Sequence, residues 1–141
     1  MAENKKILAL DIGDQWTGIA ISDSSQTFVK PFTTVSLQEL KPFLTKILTE
    51  QEIDTIVVGR PITLKGTISK QTEKVIKKKE ELENEFKQVK WVLWDERLTS
   101  KWADELKKGI SKEEKLKSHA RAAAFILDSY LMFLKIQAEK V

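Results

Sequence analysis

The chain has no cysteine and only one histidine, His119. The lack of cysteine excludes disulfides and thiolate metal sites, and it agrees with a reducing compartment. No apolar run reaches the roughly 18 residues that a membrane-spanning helix requires. The start, MAENKKILALDIG, sets two lysines before an apolar stretch, but that stretch is too short for a signal peptide and Asp11 interrupts it. It therefore reads as a first strand, and with no targeting segment the expected location is the cytoplasm. Internal repeats, low-complexity tracts and Pro/Gly/Ser linkers are also missing, so residues 1–141 are expected to form one domain. What is present is an ordinary folded composition, 41% hydrophobic and 32% charged, with a net charge of +3. A mildly basic chain of this kind permits a polyanionic partner without requiring one.

Periodicity divides the chain into alternating elements. Residues 6–12 (KILALDI) and 16–22 (WTGIAIS) read as two strands of an antiparallel hairpin. Residues 28–35 (FVKPFTTV) give a third strand, which Pro31 confines to an edge or a bulge. Ser36 with Glu39 three residues later has capping-box spacing, and the apolar positions Leu40, Leu44, Ile47 and Leu48 follow at helical intervals. The run TIVV at 55–58 resembles a strand buried in a parallel sheet. A polar helix over about 69–88, a strand at 90–94 and two helices near 97–108 and 113–138 complete the order. A hairpin meander followed by alternating strands and helices predicts an α/β fold: a mixed sheet, three-strand antiparallel meander plus parallel strands, with helices packed on it.

Three acids and the histidine stand out within this frame. Asp11 ends an apolar strand in phase with Ile7 and Ala9. It is either a turn residue beside Gly13 or a carboxylate that binds a cation, since a carboxylate at the end of an apolar strand is costly unless it is paired or metal-bound. Asp95 and Glu96 repeat the pattern after the strand Trp91–Trp94, where an Asp could also serve the start of a helix. Carboxylate clusters of this kind bind hard divalent cations such as Mg²⁺. His119 aligns with Ala122, Ala123, Ile126 and Leu127 at 100° per residue, and so begins the inward stripe of the last helix. Lone histidines are usually satisfied surface or core groups.

The basic residues carry weaker signals. Arg60 and Lys65 lie in GRPITLKGT, a loop able to bring backbone N–H groups and a cation to phosphate, although it lacks the GxxxxGK[ST] spacing of a nucleotide-triphosphate cradle. Lys77, Lys78 and Lys79 are interleaved with glutamates and fit a solvated helix face. Lys107, Lys108, Lys112, Lys115, Lys117 and Arg121 form a looser cluster. Trp91 and Trp94 fit the core, whereas Trp16 and Trp102 are freer to stack on a base.

Five motifs together resemble one family. LALDIG at 8–13, GIAISD at 18–23, IVVGRP at 56–61 with Gly66, WDERLTS at 94–100 and ARAAAFILDSYL at 120–131 are similar in identity and order to the YqgF family, also called RuvX. Members are described as pre-16S rRNA nucleases and, earlier, as Holliday junction resolvases. The resemblance spans essentially the whole chain. WDERLT is its most specific part, and LDIG is not specific. It implies an RNase H-like fold, two-metal phosphodiester hydrolysis with Mg²⁺ or Mn²⁺, and an RNA substrate in ribosome maturation, with branched DNA as the alternative. By the same resemblance Asp11 corresponds to the first metal-binding aspartate and Asp95–Glu96 to the Asp-Glu pair. The implied metal ligands are Asp11, Glu96 and His119, with Asp95 supporting them. Arg60, Lys65, Arg97 and Arg121 are the implied nucleic-acid contacts.

This chain departs from the family pattern twice. His119 stands where members usually carry an aspartate, and the loop after the first strand reads Asp14-Gln15-Trp16-Thr17 instead of carrying basic residues. Imidazole suits Mn²⁺ better than Mg²⁺, and it could alternatively act as a general base. Those departures motivate a second reading, a non-catalytic nucleic-acid-binding domain that kept the fold. A third reading, the phosphate loop of an actin-like ATPase, needs a second lobe for which 141 residues leave no room. Both monomer and homodimer remain open.

Overall fold

The N–H of Gly13 donates to the Trp16 carbonyl at 2.9 Å and closes a tight hairpin between β1 (Lys6–Ile12) and β2 (Trp16–Ser22). From there the chain continues through β3 (Val29–Ser36), α1 (Leu37–Glu50), β4 (Ile53–Arg60), α2 (Lys70–Glu85), β5 (Lys90–Asp95) and α3 (Lys112–Glu139). The structure, a computed structural model, describes residues 5–60, 70–95 and 112–139, with side chains of the last stretch from Lys117 onward. The helix expected near 97–108 lies outside the described residues.

The strands form one mixed sheet in the order β3-β2-β1-β4-β5. The β1–β2 and β2–β3 pairs are antiparallel, and the β1–β4 and β4–β5 pairs are parallel. This is the expected meander plus parallel strands. β1 is central and covered on both faces, which is why Ile7 to Leu10 are all apolar and all buried. β3 is an edge strand. Its register slips between the pairs Ile19–Thr33 and Ala20–Pro31, so Phe32 forms a bulge beside the residue that cannot donate to a ladder.

Alternation sends the two sets of strand side chains into two cores. Leu8, Leu10, Ile19, Ile56 and Val58 pack with Leu40, Leu44 and Ile47 of α1 and Val75 and Leu82 of α2. On the other face, Ile7, Ala9, Ala20 and Val57 meet Ala123, Ile126, Leu127 and Tyr130 of α3. At Ala9, Gly18 and Ala20 the α3 face of β1 and β2 carries small residues, which lets that helix lie close to the sheet. The opposite face presents leucines and isoleucines.

α1 begins as its sequence predicts. The Ser36 hydroxyl accepts from the Glu39 N–H and the Glu39 carboxylate accepts from the Ser36 N–H, both at 3.3 Å. Lys41 then reaches from α1 to Glu81 and Glu85 of α2 at 3.0 and 3.1 Å. Within α2, Lys78 pairs with Glu81 and Lys79 with Glu83, so two of the three lysines in the 77–79 run are held along a wet helix face.

Two boundaries differ from expectation for tertiary reasons. β4 extends past its apolar run to Arg60, because Gly59 and Arg60 pair with Trp94 and Asp95 of β5. α2 ends at Glu85 instead of near 88. There the Phe86 carbonyl accepts from the Trp91 indole N–H at 2.8 Å and turns the chain into β5.

Candidate active site

The site begins at the C-terminal end of β1. Asp11 lies in phase with Ile7 and Ala9, so its side chain belongs to the α3 face, and it is half-buried. Its antiparallel partner is Gly18, which in turn pairs with Thr34. On the other side, the parallel register Leu10–Val58, continued by one residue, brings Gly59 level with Asp11. Gly59 pairs with Trp94. A row across the sheet thus reads Thr34, Gly18, Asp11, Gly59, Trp94, with a glycine on each side of the carboxylate.

Gly18 fixes where α3 sits. A Cβ on this residue would lie 1.9 Å from the His119 carbonyl oxygen, 2.2 Å from its carbonyl carbon and 2.8 Å from the Ala120 nitrogen. The helix backbone at His119 therefore rests directly on the strand backbone next to Asp11. Cross-strand Cα atoms are about 5 Å apart, so the helix crosses the sheet beside the carboxylate. His119 is half-buried and heads the stripe formed by the buried Ala122, Ala123, Ile126 and Leu127, as helical periodicity predicts.

Asp95 falls differently. Trp91 and Leu93 pack on the α1–α2 side of the sheet, and Val92 and Trp94 on the α3 side. Period-two alternation puts Asp95 in phase with the α1–α2 side, away from Asp11. Glu96, the other member of the acidic pair, lies outside the described residues. Arg60 is the register partner of Asp95 and shares the phase of Ile56 and Val58, again on the α1–α2 side. Its Nε is enclosed and accepted by no oxygen among the described residues. Arg121 stands on the exposed flank of α3, and Lys65 and Arg97 lie outside the described residues.

Asp11 and the backbone of His119 thus flank Gly18 from two elements, while Asp95 and Arg60 form a neighbouring pair of positions on the reverse face. Asp11, Asp95 and His119 each have at least one noncovalent partner. Carboxylate and imidazole donors suit a divalent cation chemically, and Asp11 with His119 would be two of its ligands. Among the described residues, however, no group of three His, Cys, Asp or Glu side chains is close enough to hold a metal ion. Asp14, the extra acid of the first loop, lies 3.8 Å from Lys74 of α2, and both side chains are exposed.

Sequence reasoning read Gly18 only as part of a strand. The available signal was a glycine inside an apolar strand, which marks close backbone approach. A second feature, the β2–β3 turn, is organised by Asp23. Its carboxylate accepts from the Thr27 and Phe28 N–H groups, each at 2.9 Å, and from the Ser25 hydroxyl. Those bonds, the Ser25 one foremost, hold its pKa down to about 2.

A meander continued by parallel strands, with one long helix laid across the end of the central strand, defines an RNase H-like α/β protein. The family model RuvX, described as Holliday junction resolvase, matches residues 5–132. The chain belongs to the RuvX family. It is 35% identical over 127 residues to a protein of Rubrobacter xylanophilus, covering 89% of this chain and 91% of that one. To a Caldanaerobacter subterraneus protein it is 38% identical over 133 residues, covering 89% and 95%. To one from Clostridium botulinum it is 39% identical over 140 residues, covering 89% and 96%. Each of the three carries the name "Putative pre-16S rRNA nuclease". No helix among the described residues is long and apolar enough to cross a membrane.

Proposed function

We propose that the protein is a metal-dependent endonuclease that hydrolyses phosphodiester bonds of precursor rRNA in forming the 5′ end of 16S rRNA. The observation that carries this reading is the seat of Asp11: a half-buried carboxylate at the end of the central strand, with the α3 backbone at His119 resting on its neighbour Gly18. The names of the relatives supply the substrate. Asp11, Glu96 and His119 would hold Mg²⁺ or Mn²⁺, which when bound supplies charge for the attacked phosphate and a more acidic water. Asp11 holds its position because β1 is buried on both faces. His119 holds its position because the inward stripe of α3 is seated on Ala9 and Ala20. His119 could instead take a proton from the attacking water if it is not itself a ligand. Asp95, out of phase with Asp11, acts through the β4–β5 strand end and does not contribute a ligand. A soluble cytoplasmic setting follows from this role.

The test is cleavage of precursor rRNA and of a four-way DNA junction, each with Mg²⁺ and with Mn²⁺. Wild type is compared with Asp11→Asn and His119→Asp. Asp11→Asn is expected to abolish cleavage, and His119→Asp to raise activity in Mg²⁺ relative to Mn²⁺. Undiminished cleavage by Asp11→Asn overturns the assignment of the site. The family description favours one second reading, cleavage of branched DNA, and junction cleavage without rRNA cleavage would select it. Salt-sensitive RNA binding with no turnover in either metal would mark a binding domain instead.

A further inference from the structure

A groove runs between the edge strand β3 and the outer flank of α3. Its first part, about 470 Å³, is lined by Pro31, Thr34, Lys117 and Arg121 among others, and among the described residues it contains two cations and no acid. Its continuation, about 500 Å³, passes Phe28 and Phe125 and ends at Asp128. Phe28 is 73% exposed and Phe125 41%, so two aromatic rings face solvent along one channel. Thr34 opens the groove in the same sheet row as Gly18 and Asp11, two strand spacings or roughly 10 Å from the carboxylate. α3 lies between the two.

We infer that this groove holds an unpaired, single-stranded segment of the nucleic-acid substrate, with its phosphates against Lys117 and Arg121 and its bases on Phe28 and Phe125. The inference rests on the nuclease reading above and adds where, and in what form, the substrate leaves the cutting site. The paired cations Lys117 and Arg121, with no acid beside them among the described lining residues, favour a polyanion and disfavour a second copy of this basic chain. Strand-to-strand addition at β3 is also blocked, because Pro31 has no N–H and the Phe32 bulge breaks the ladder. Exposed rings beside cations suit unstacked bases, whose faces a duplex keeps covered. Asp23 sets the reach of the groove by fixing the turn that carries Phe28. Asp128 repels phosphate and marks its far end.

The experiment measures binding of a labelled twelve-nucleotide oligouridylate, and of an RNA duplex of equal length, in EDTA so that no cleavage intervenes. Wild type is compared with Lys117→Ala, Arg121→Ala and Phe125→Ala. All three groove side chains are exposed, so an unchanged melting temperature is the check on folding. Each cation variant is expected to weaken single-strand binding and to flatten the slope of log K against log salt by about 0.7. Phe125→Ala is expected to weaken it about tenfold with the slope unchanged, and to leave duplex binding alone. Single-strand binding that is indifferent to both Arg121→Ala and Phe125→Ala overturns the inference. So does a wild-type dimer that Phe125→Ala dissociates without changing oligonucleotide affinity. Groove-dependent binding by a wild type that cleaves nothing upholds the groove and sinks only the nuclease reading.

Discussion

Replacing Gly18 with alanine should unseat α3 from the sheet. The new methyl would stand 1.9 Å from the His119 carbonyl oxygen, and ordinary contact begins at 3.4 Å, so helix or strand must move by about 1.5 Å. The obstacles are the carbonyl of His119 and the nitrogen of Ala120. Both are backbone, so no side-chain rotation relieves the clash. Overpacking of a dense core costs about 1–3 kcal/mol, and the backbone character of this clash places it at the upper end. The alanine also narrows the unfolded ensemble, which returns about 0.4–1 kcal/mol. A net loss of about 2 kcal/mol corresponds to a melting temperature lower by roughly 5–10 °C for a chain of this size. The functional effect should be larger than the thermal one, because the shift separates His119 from Asp11, and a misplacement of about 1 Å can cost on the order of a hundredfold in rate. Thermal melting and cleavage of precursor rRNA at a temperature where the variant is folded read the two effects separately. A melting temperature within about 1 °C of wild type, together with undiminished cleavage, would refute the close approach and the role given to it.

Strand phase predicts that Glu96→Gln removes cleavage as fully as Asp11→Asn, whereas Asp95→Asn leaves a substantial part. Equal losses in the two variants would show that alternation does not continue past β5. Ser36→Ala removes the hydroxyl that caps α1 and should cost about 1 kcal/mol in urea denaturation without altering cleavage, since α1 lies on the face opposite Asp11. Because the Asp23 pKa is lowered from 3.8 to about 2, the order it gives the β2–β3 turn is complete above about pH 4 and is lost as pH falls through about 2. The amide resonances of Thr27 and Phe28, followed by NMR as pH is lowered, should titrate together with that low midpoint. Titration near 4 would mean that the carboxylate does not hold the turn.

The order of elements was legible because local patterns carry it: alternation in β1 and β2, the Ser36–Glu39 box, the continuous apolar run of β4 and the inward stripe of α3 from His119. Pro31 in β3 announced an edge strand or a bulge, and the structure has both. Asp11 and His119 could be singled out for the same reason, since each breaks an apolar pattern at a defined phase. Sequence alone left β4 short. Gly59 and Arg60 extend it only through pairing with β5, and hydrogen bonding between distant segments leaves no mark in local hydropathy. The sequence named Asp95 as a supporting acid, and strand phase sets it on the side of Trp91 and Leu93, which adjacency in the chain does not reveal. What the sequence determined by itself was the set of elements and the residues on each buried face, because apolar periodicity is a local property. Only the tertiary structure decided that Gly18 is the contact on which α3 rests beside Asp11. That choice depends on how closely two backbones approach, and glycine has no side chain through which a pattern could reveal it.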